Sequence, residues 1–178
     1  MLTLFPLLAL LQMSPAAPVA DSSFVFSPPV LKDIPPQVFI FKPGAGPYDN
    51  VAKEFAELIA FMAEKRMPGQ LAAVFYDDPV KVPPESLRWE VGVITNQPPN
   101  VTEPYTQKII SGRKAASLIV DGVPGQNRVH YAPMQGFIRQ RRYIFKPPAM
   151  EILLQPEKEN AGPKTEILLP VQQKRRDK

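Results

Sequence analysis

"LAAVFYDDPVKVPPESLRWEVGV", residues 71–93, decides how the chain is read. An apolar run ends at Asp77-Asp78, the chain breaks over Pro79 and Pro83-Pro84, and apolar residues resume at Leu87 with Trp89 and Glu90 side by side. Short runs rich in Val and aromatic residues, bounded by turn formers, predict two strands joined by a proline-rich connection. Neighbours in a strand point to opposite sheet faces, so Asp77 and Asp78 do not converge on one metal or one substrate atom. They read as the end of a strand and the start of a hairpin connection.

The rest of the chain agrees with a sheet-rich reading. Its 23 prolines cluster in pairs at Pro28-Pro29, Pro35-Pro36, Pro83-Pro84, Pro98-Pro99 and Pro147-Pro148. Such pairs are excluded from helix interiors and central strands, so they mark joints between short elements. A length of 178 residues with 44% hydrophobic and 21% charged content gives one globular domain of the α+β class. The net charge of +4 is concentrated in Lys174, Arg175, Arg176 and Lys178 and in Arg139, Arg141 and Arg142. A terminal tail (173–178) and one charged helix end, without a zinc finger or RNA-recognition signature, predict no nucleic-acid partner.

No cysteine is present, which excludes disulfides and thiolate chemistry, and His130 is the only histidine. No metal site and no cofactor are expected. Residues 2–11 form an apolar stretch of the length of a signal-peptide core, followed by small residues around Ser14 to Ala20. That stretch is too short to span a bilayer. With no Lys or Arg before Lys32 the usual basic start is missing, so residues 1–20 read as a signal peptide or an apolar leader. Export is the expectation, with a cytoplasmic or leader-tethered protein as the alternative. Residues 21–36 read as a linker or edge segment.

The body repeats itself. "VFIFKPGAGPY" (38–48) resembles "ASLIVDGVPGQ" (116–126), "VFYDDPV" resembles "ILLQPEK", and "RWEVGVI" resembles "KTEILLPV". Pro47 and Pro124 are separated by 77 positions (124 − 47), Pro79 and Pro156 by 77 (156 − 79), and Glu90 and Glu166 by 76 (166 − 90). The pattern predicts two strand–helix–strand–strand units, about 37–97 and 105–172. In the first, Tyr48-Asp49-Asn50 supplies capping chemistry and Val51, Phe55, Leu58, Ile59 and Met62 form one helix face before Met67-Pro68-Gly69 stops it. The second helix, about Asn127 to Tyr143, is interrupted by Pro133 and Gly136, with Val129, Phe137 and Ile138 as its apolar stripe.

"GPYDNVAKEFAELIAFM", "AVFYDDPVKVPPESLRWEVGV", "GRKAASLIVDGVPG", "MEILLQPEKE" and "KTEILLPV" together resemble the GyrI-like effector-binding domain, over about Gln37 to Gln172. The resemblance implies two pseudo-twofold-related units forming a curved antiparallel sheet, with a ligand cleft between them. It implies ligand sensing, stand-alone binding or, in some members, hydrolysis of reactive cyclopropanes. The family's pocket glutamate falls on Glu151, and the glutamate of its final strand on Glu166. The repeat offset then matches Glu151 with Val74, so Val74, Tyr76, Glu151 and Leu153 are expected on the inward faces of two equivalent strands. Trp89 and Tyr48 are the aromatic candidates at the rim. Gly-Val-Pro-Gly for Gly-Pro-Tyr, Leu153 for a tyrosine and a helix without tryptophan predict a second half poor in aromatic surface.

An apolar, aromatic cleft holding a carboxylate suits a lipophilic cation: ring faces attract it and the carboxylate neutralises it. Non-enzymatic binding of a small amphipathic or cationic molecule is the leading expectation. A buried Glu151 whose pKa is raised would also serve as an acid or base, with Tyr76 assisting, in a cyclopropane hydrolase. A third alternative is a protein-interaction domain that uses the basic tail.

Overall fold

A computed structural model describes residues 28–96, 98, 100–155 and 162–174. The leader read over 1–20, the anchor Pro156 and the tail from Arg175 onward lie outside the described residues. Strands β1 (Val30–Ile34), β2 (Gln37–Ala45), β3 (Gln70–Phe75), β4 (Arg88–Thr95), β5 (Thr106–Ile110), β6 (Arg113–Asp121), β7 (Tyr143–Phe145), β8 (Ala149–Leu154) and β9 (Lys164–Gln173) form one curled sheet. Two helices, α1 (Val51–Lys65) and α2 (Tyr131–Gln140), complete an α+β fold. The strand order is β1-β6-β9-β8-β3-β4-β2-β5, with β7 on β9, and all the pairings are antiparallel.

The strands predicted on either side of Asp77-Asp78 are β3 and β4, paired with Phe75 opposite Trp89. The aspartates close the connection as expected. Asp77 accepts from the Arg88 backbone N–H at 2.8 Å and from its guanidinium at 2.7 and 3.0 Å, while Asp78 accepts from the Val80 N–H at 3.0 Å. The segment 21–36, read as a linker or edge segment, contains an edge strand: β1 pairs with β6 from Val30–Ser117 to Ile34–Arg113. Strand β5, unread in the sequence, pairs with β2 at the other edge. Each opening strand therefore docks on the opposite half of the chain.

Partners across an antiparallel ladder point the same way. One face of the sheet carries Ile40, Phe75, Trp89, Val91, Leu118 and Ile167, and both helices cover it with Val51, Phe55 and Leu58 of α1 and Met134 and Ile138 of α2. The other face carries Phe39, Val74, Ile94, Ile110, Met150 and Ile152. The α1 stripe is narrower than its periodicity predicts, since Ile59 is exposed. No side chain caps this helix; Tyr48–Asn50 instead form a 3-10 turn closed by the Asn50 N–H on the Pro47 carbonyl at 3.0 Å. At its other end Arg66 takes a left-handed φ of 48°, ahead of Met67-Pro68-Gly69.

The second helix is shorter than predicted because residues Arg128–His130 form a 3-10 turn before it. Pro133 falls in its first turn, where a missing N–H breaks no helical bond, so that proline helps start the helix rather than interrupt it. Val129 is exposed, and Met134 takes its expected place on the buried stripe.

Candidate functional site

β8 lies beside β3 at the middle of the sheet, and Glu151 sits opposite Ala73 on one side and Ile167 on the other. Alternation therefore turns Glu151 toward the helix-covered face. It is 2% exposed and borders a cavity of about 480 Å³. Phe75 and Ala149 form apolar parts of the wall, and the turn before α2 and the start of that helix supply Gly125 and Tyr131. The connection after β3, from Tyr76 to Lys81, forms the mouth.

Three groups hold the carboxylate. The Gly125 N–H and Asn127 Nδ2 each donate to Oε2 at 2.9 Å, and the Tyr131 hydroxyl donates to Oε1 at 2.9 Å. Asn127 Nδ2 also donates to the Val123 carbonyl at 2.9 Å, which fixes its orientation. Gly125 has φ +94°, and a Cβ there would come within 2.8 Å of the Tyr48 carbonyl, so this turn needs glycine to bring its N–H to the carboxylate. All three donors are neutral. Burial pushes the Glu151 pKa above its ordinary value, and bonds from Asn127, Gly125 and Tyr131 offset part of the rise. Burial raises Tyr131 well above the usual phenol range, and the Glu151 charge adds to the rise, so this hydroxyl remains a donor.

The folded protein thus holds the Glu151 proton more tightly than the unfolded chain does. Its contribution to stability is present below the ordinary carboxylate pKa and is lost as pH rises through the raised value. Thermal melts between about pH 4 and pH 8 should show this loss in the wild type and lack it in Glu151→Gln. Superimposable pH profiles would remove the assignment.

The aromatic wall comes from both halves of the chain. Tyr48 meets Phe75 edge to face at 4.7 Å between centroids, and Tyr131 and Phe145 stand on the side of the second half. The second half is therefore not poor in aromatic surface as its motif departures predict: Tyr131 and Phe145 supply it from positions the motifs do not cover. The Tyr48 hydroxyl donates to the Asp77 carbonyl at 2.7 Å and accepts from the Asp77 N–H at 3.2 Å, tying the mouth to the turn before α1. Burial raises its pKa to about 12. Charges at the mouth are internally balanced: Asp77 pairs with Arg88 at 2.7 Å and Asp78 with Lys81 at 3.3 Å. Arg128 stands exposed at the edge of the cavity.

The other expected site residues disperse. Val74 lies on the opposite sheet face from Glu151, one residue from the paired Ala73, which corrects the shared-face expectation. Tyr76 borders the cavity, but its hydroxyl accepts from Lys108 Nζ at 3.0 Å on that opposite side and makes no bond to Glu151. Tyr131 is the tyrosine beside the acid. Leu153 shares the alternation of Glu151 but sits opposite Thr165, away from the cavity lining. Glu166 faces the other side, bonded to Ser117 and paired with Lys32. Trp89 is 4% exposed, donates Nε1–H to the Gly46 carbonyl at 3.2 Å and covers Gly44, where a Cβ would come within 2.1 Å of its ring. It is a packing residue.

Asn127, Gly125 and Tyr131 were not singled out by sequence. No motif marks them: Asn127 stands ahead of the 3-10 turn Arg128–His130, whereas Asn50 directly precedes α1, so the two asparagines do not hold matching places. Among the described residues no cluster of His, Asp or Glu is able to hold a metal, and no helix is long and apolar enough to cross a membrane.

The fold recurs in solved structures of low identity. The EcmrR C-terminal domain is 18% identical with a TM-score of 0.64, covering 84% of this chain and 99% of that one. A hydrolase encoded by lin2189 from Listeria innocua is 15% identical with a TM-score of 0.56, covering 82% and 92% respectively. SAV2435, solved bound to tetraphenylphosphonium, is 12% identical with a TM-score of 0.55, covering 82% and 94%. No curated protein matches the chain. The model of the GyrI-like small molecule binding domain matches residues 27–172, a span that begins just before β1 and ends within β9, and the chain belongs to that family.

Proposed function

We propose that the Glu151 cavity binds a lipophilic organic cation without transforming it. One observation carries this reading: a carboxylate 2% exposed at a cavity wall is held only by neutral donors. A buried charge without a counter-charge is costly, and a cation entering the cavity supplies one where the local dielectric is low. Five aromatic residues, Tyr48, Phe75, Tyr76, Tyr131 and Phe145, border the same space and offer ring faces to the cation. A volume of about 480 Å³ suits one drug-sized molecule. The shared fold with SAV2435 makes tetraphenylphosphonium the natural probe.

Calorimetric titration with tetraphenylphosphonium and with neutral triphenylphosphine oxide tests the reading. The cation is expected to bind at least about tenfold more tightly. Equal affinities would leave only an apolar pocket.

Hydrolysis is the competing reading. The 2.9 Å bond between Tyr131 and Glu151 joins two groups whose pKa values burial raises, a direction that suits acid catalysis. The relative from Listeria solved as a hydrolase shares the fold. Loss of a strained cyclopropane electrophile that stops in Glu151→Gln would favour this reading over simple capture.

We also infer that the two halves arose by duplication. Lys32 pairs with Glu166 as Lys108 pairs with Glu90, and the members of each equivalent pair stand 76 positions apart (108 − 32 and 166 − 90). The same spacing relates the left-handed residues Arg66 and Arg142 (142 − 66) and the positive-φ glycines Gly46 and Gly122 (122 − 46). Exchanging β1–β4 in turn with β5, β6, β8 and β9 leaves the strand order unchanged. Superposing residues 30–95 on 106–173 tests the inference: strands that fail to overlay would end it.

A further inference from the structure

The opposite face of the sheet holds a second cavity, of about 290 Å³, to which the family reading gives no role. Val74 and Ile110, both buried, and Pro148 give it apolar walls, and Tyr76 separates it from the Glu151 cavity. The charged groups lining it are both cations, Lys108 and Arg113.

The two cations differ in their partners. Lys108 is engaged: its Nζ pairs with Glu90, donates to Tyr76 at 3.0 Å and lies 4.4 Å from the Phe41 ring centroid. Arg113 is half-buried and, among the described residues, no carboxylate, carbonyl or hydroxyl bonds its guanidinium. Burial lowers its pKa from the usual guanidinium value, with Tyr76 working against the fall. It nonetheless stays charged, because that usual value lies far above neutrality. The contrast with the first cavity lies in one residue of each: there Glu151 is an acid without a paired cation, here Arg113 is a cation without a paired acid.

We propose that this second cavity binds a small organic monoanion, a carboxylate on an aromatic or branched apolar body of about benzoate size, with the carboxylate on the Arg113 guanidinium. Guanidinium presents paired N–H donors that match a carboxylate, and the apolar body rests against Val74, Ile110 and Pro148. A point cation such as lysine would give less directional recognition at the same place. The site is independent of the Glu151 reading, since Arg113 does not border that cavity.

Benzoate is the probe, titrated into the full chain by calorimetry and by amide NMR shifts. Saturable binding in about the millimolar range is expected for a ligand of so few atoms, with shifts centred on Lys108, Gly112 and Arg113. Arg113→Gln should weaken it at least about tenfold while tetraphenylphosphonium binding is unchanged, and Arg113→Lys should retain part of it. Benzylamine, with the same ring and the opposite charge, should give no response at these amides. A non-saturating response, equal affinity in Arg113→Gln, or shifts centred on Gly125 and Tyr131 would each overturn the proposal. If Arg113→Gln does not fold, the Arg113→Lys titration and the shift map decide between the same outcomes.

Discussion

Replacing Glu151 with glutamine is expected to weaken tetraphenylphosphonium binding by about 100-fold, the scale of removing one partner from a buried charge pair. The substitution conserves shape. A glutamine Oε1 still accepts from the Gly125 N–H and Asn127, the two donors that meet one carboxylate oxygen at 2.9 Å. What is lost is the charge, at a position 2% exposed, where water cannot replace it. A neutral ligand should lose far less, and the ratio of the two losses isolates the electrostatic part. Circular dichroism and a thermal melt at pH 7 would establish that the variant is folded. A variant that is folded and still binds the cation with wild-type affinity would move the binding site elsewhere.

Gly92→Ala is the second large effect, and it concerns the frame rather than the cavity. Gly92 lies in β4 opposite Phe41 of β2 and Ala72 of β3. A Cβ there would come within 2.1 Å of the Ile40 carbonyl and 2.6 Å of the Phe39 ring. Phe39 is fully buried and stacks on Phe41 at 5.5 Å, so the ring cannot swing away without emptying its own place. The alternative is separation of β2 from β4. Either response should cost about 3 kcal/mol or more, a large share of the roughly 5–15 kcal/mol typical of a domain. Urea denaturation should show a lowered midpoint with an unchanged slope. A midpoint equal to that of the wild type would mean that the strands adjust freely, contrary to the close packing of the sheet.

Much of the frame is legible in the sequence for identifiable reasons. β3, β4, β8 and β9 announce themselves as apolar runs cut by turn residues, and α1 by its periodicity. β1 and β5 are harder: each is five residues long, lies at an edge and alternates weakly, so its membership depends on a partner far along the chain. The site divides the same way. Glu151 is found through a motif, but which face it shares depends on register, and a one-residue slip turns every side chain over. The offset of 77 matches Glu151 with Val74, whereas the offset of 76 shared by the salt bridges matches it with Phe75 (151 − 76), on the same face as the carboxylate. Tyr131 escapes because the predicted helix starts too early, at Asn127, and its predicted apolar stripe of Val129, Phe137 and Ile138 leaves the face of Tyr131 undefined.

The docking of β1 on the second half and of β5 on the first has a bearing on how the molecule comes apart. Neither half contains all the strands of its own edge, so neither can be peeled off as a finished piece. The two are laced together from both rims as well as through the central β3–β8 seam. Loosening one rim exposes backbone in the other half, and unfolding is therefore expected to proceed as one cooperative event, with no stage at which a single lobe survives alone.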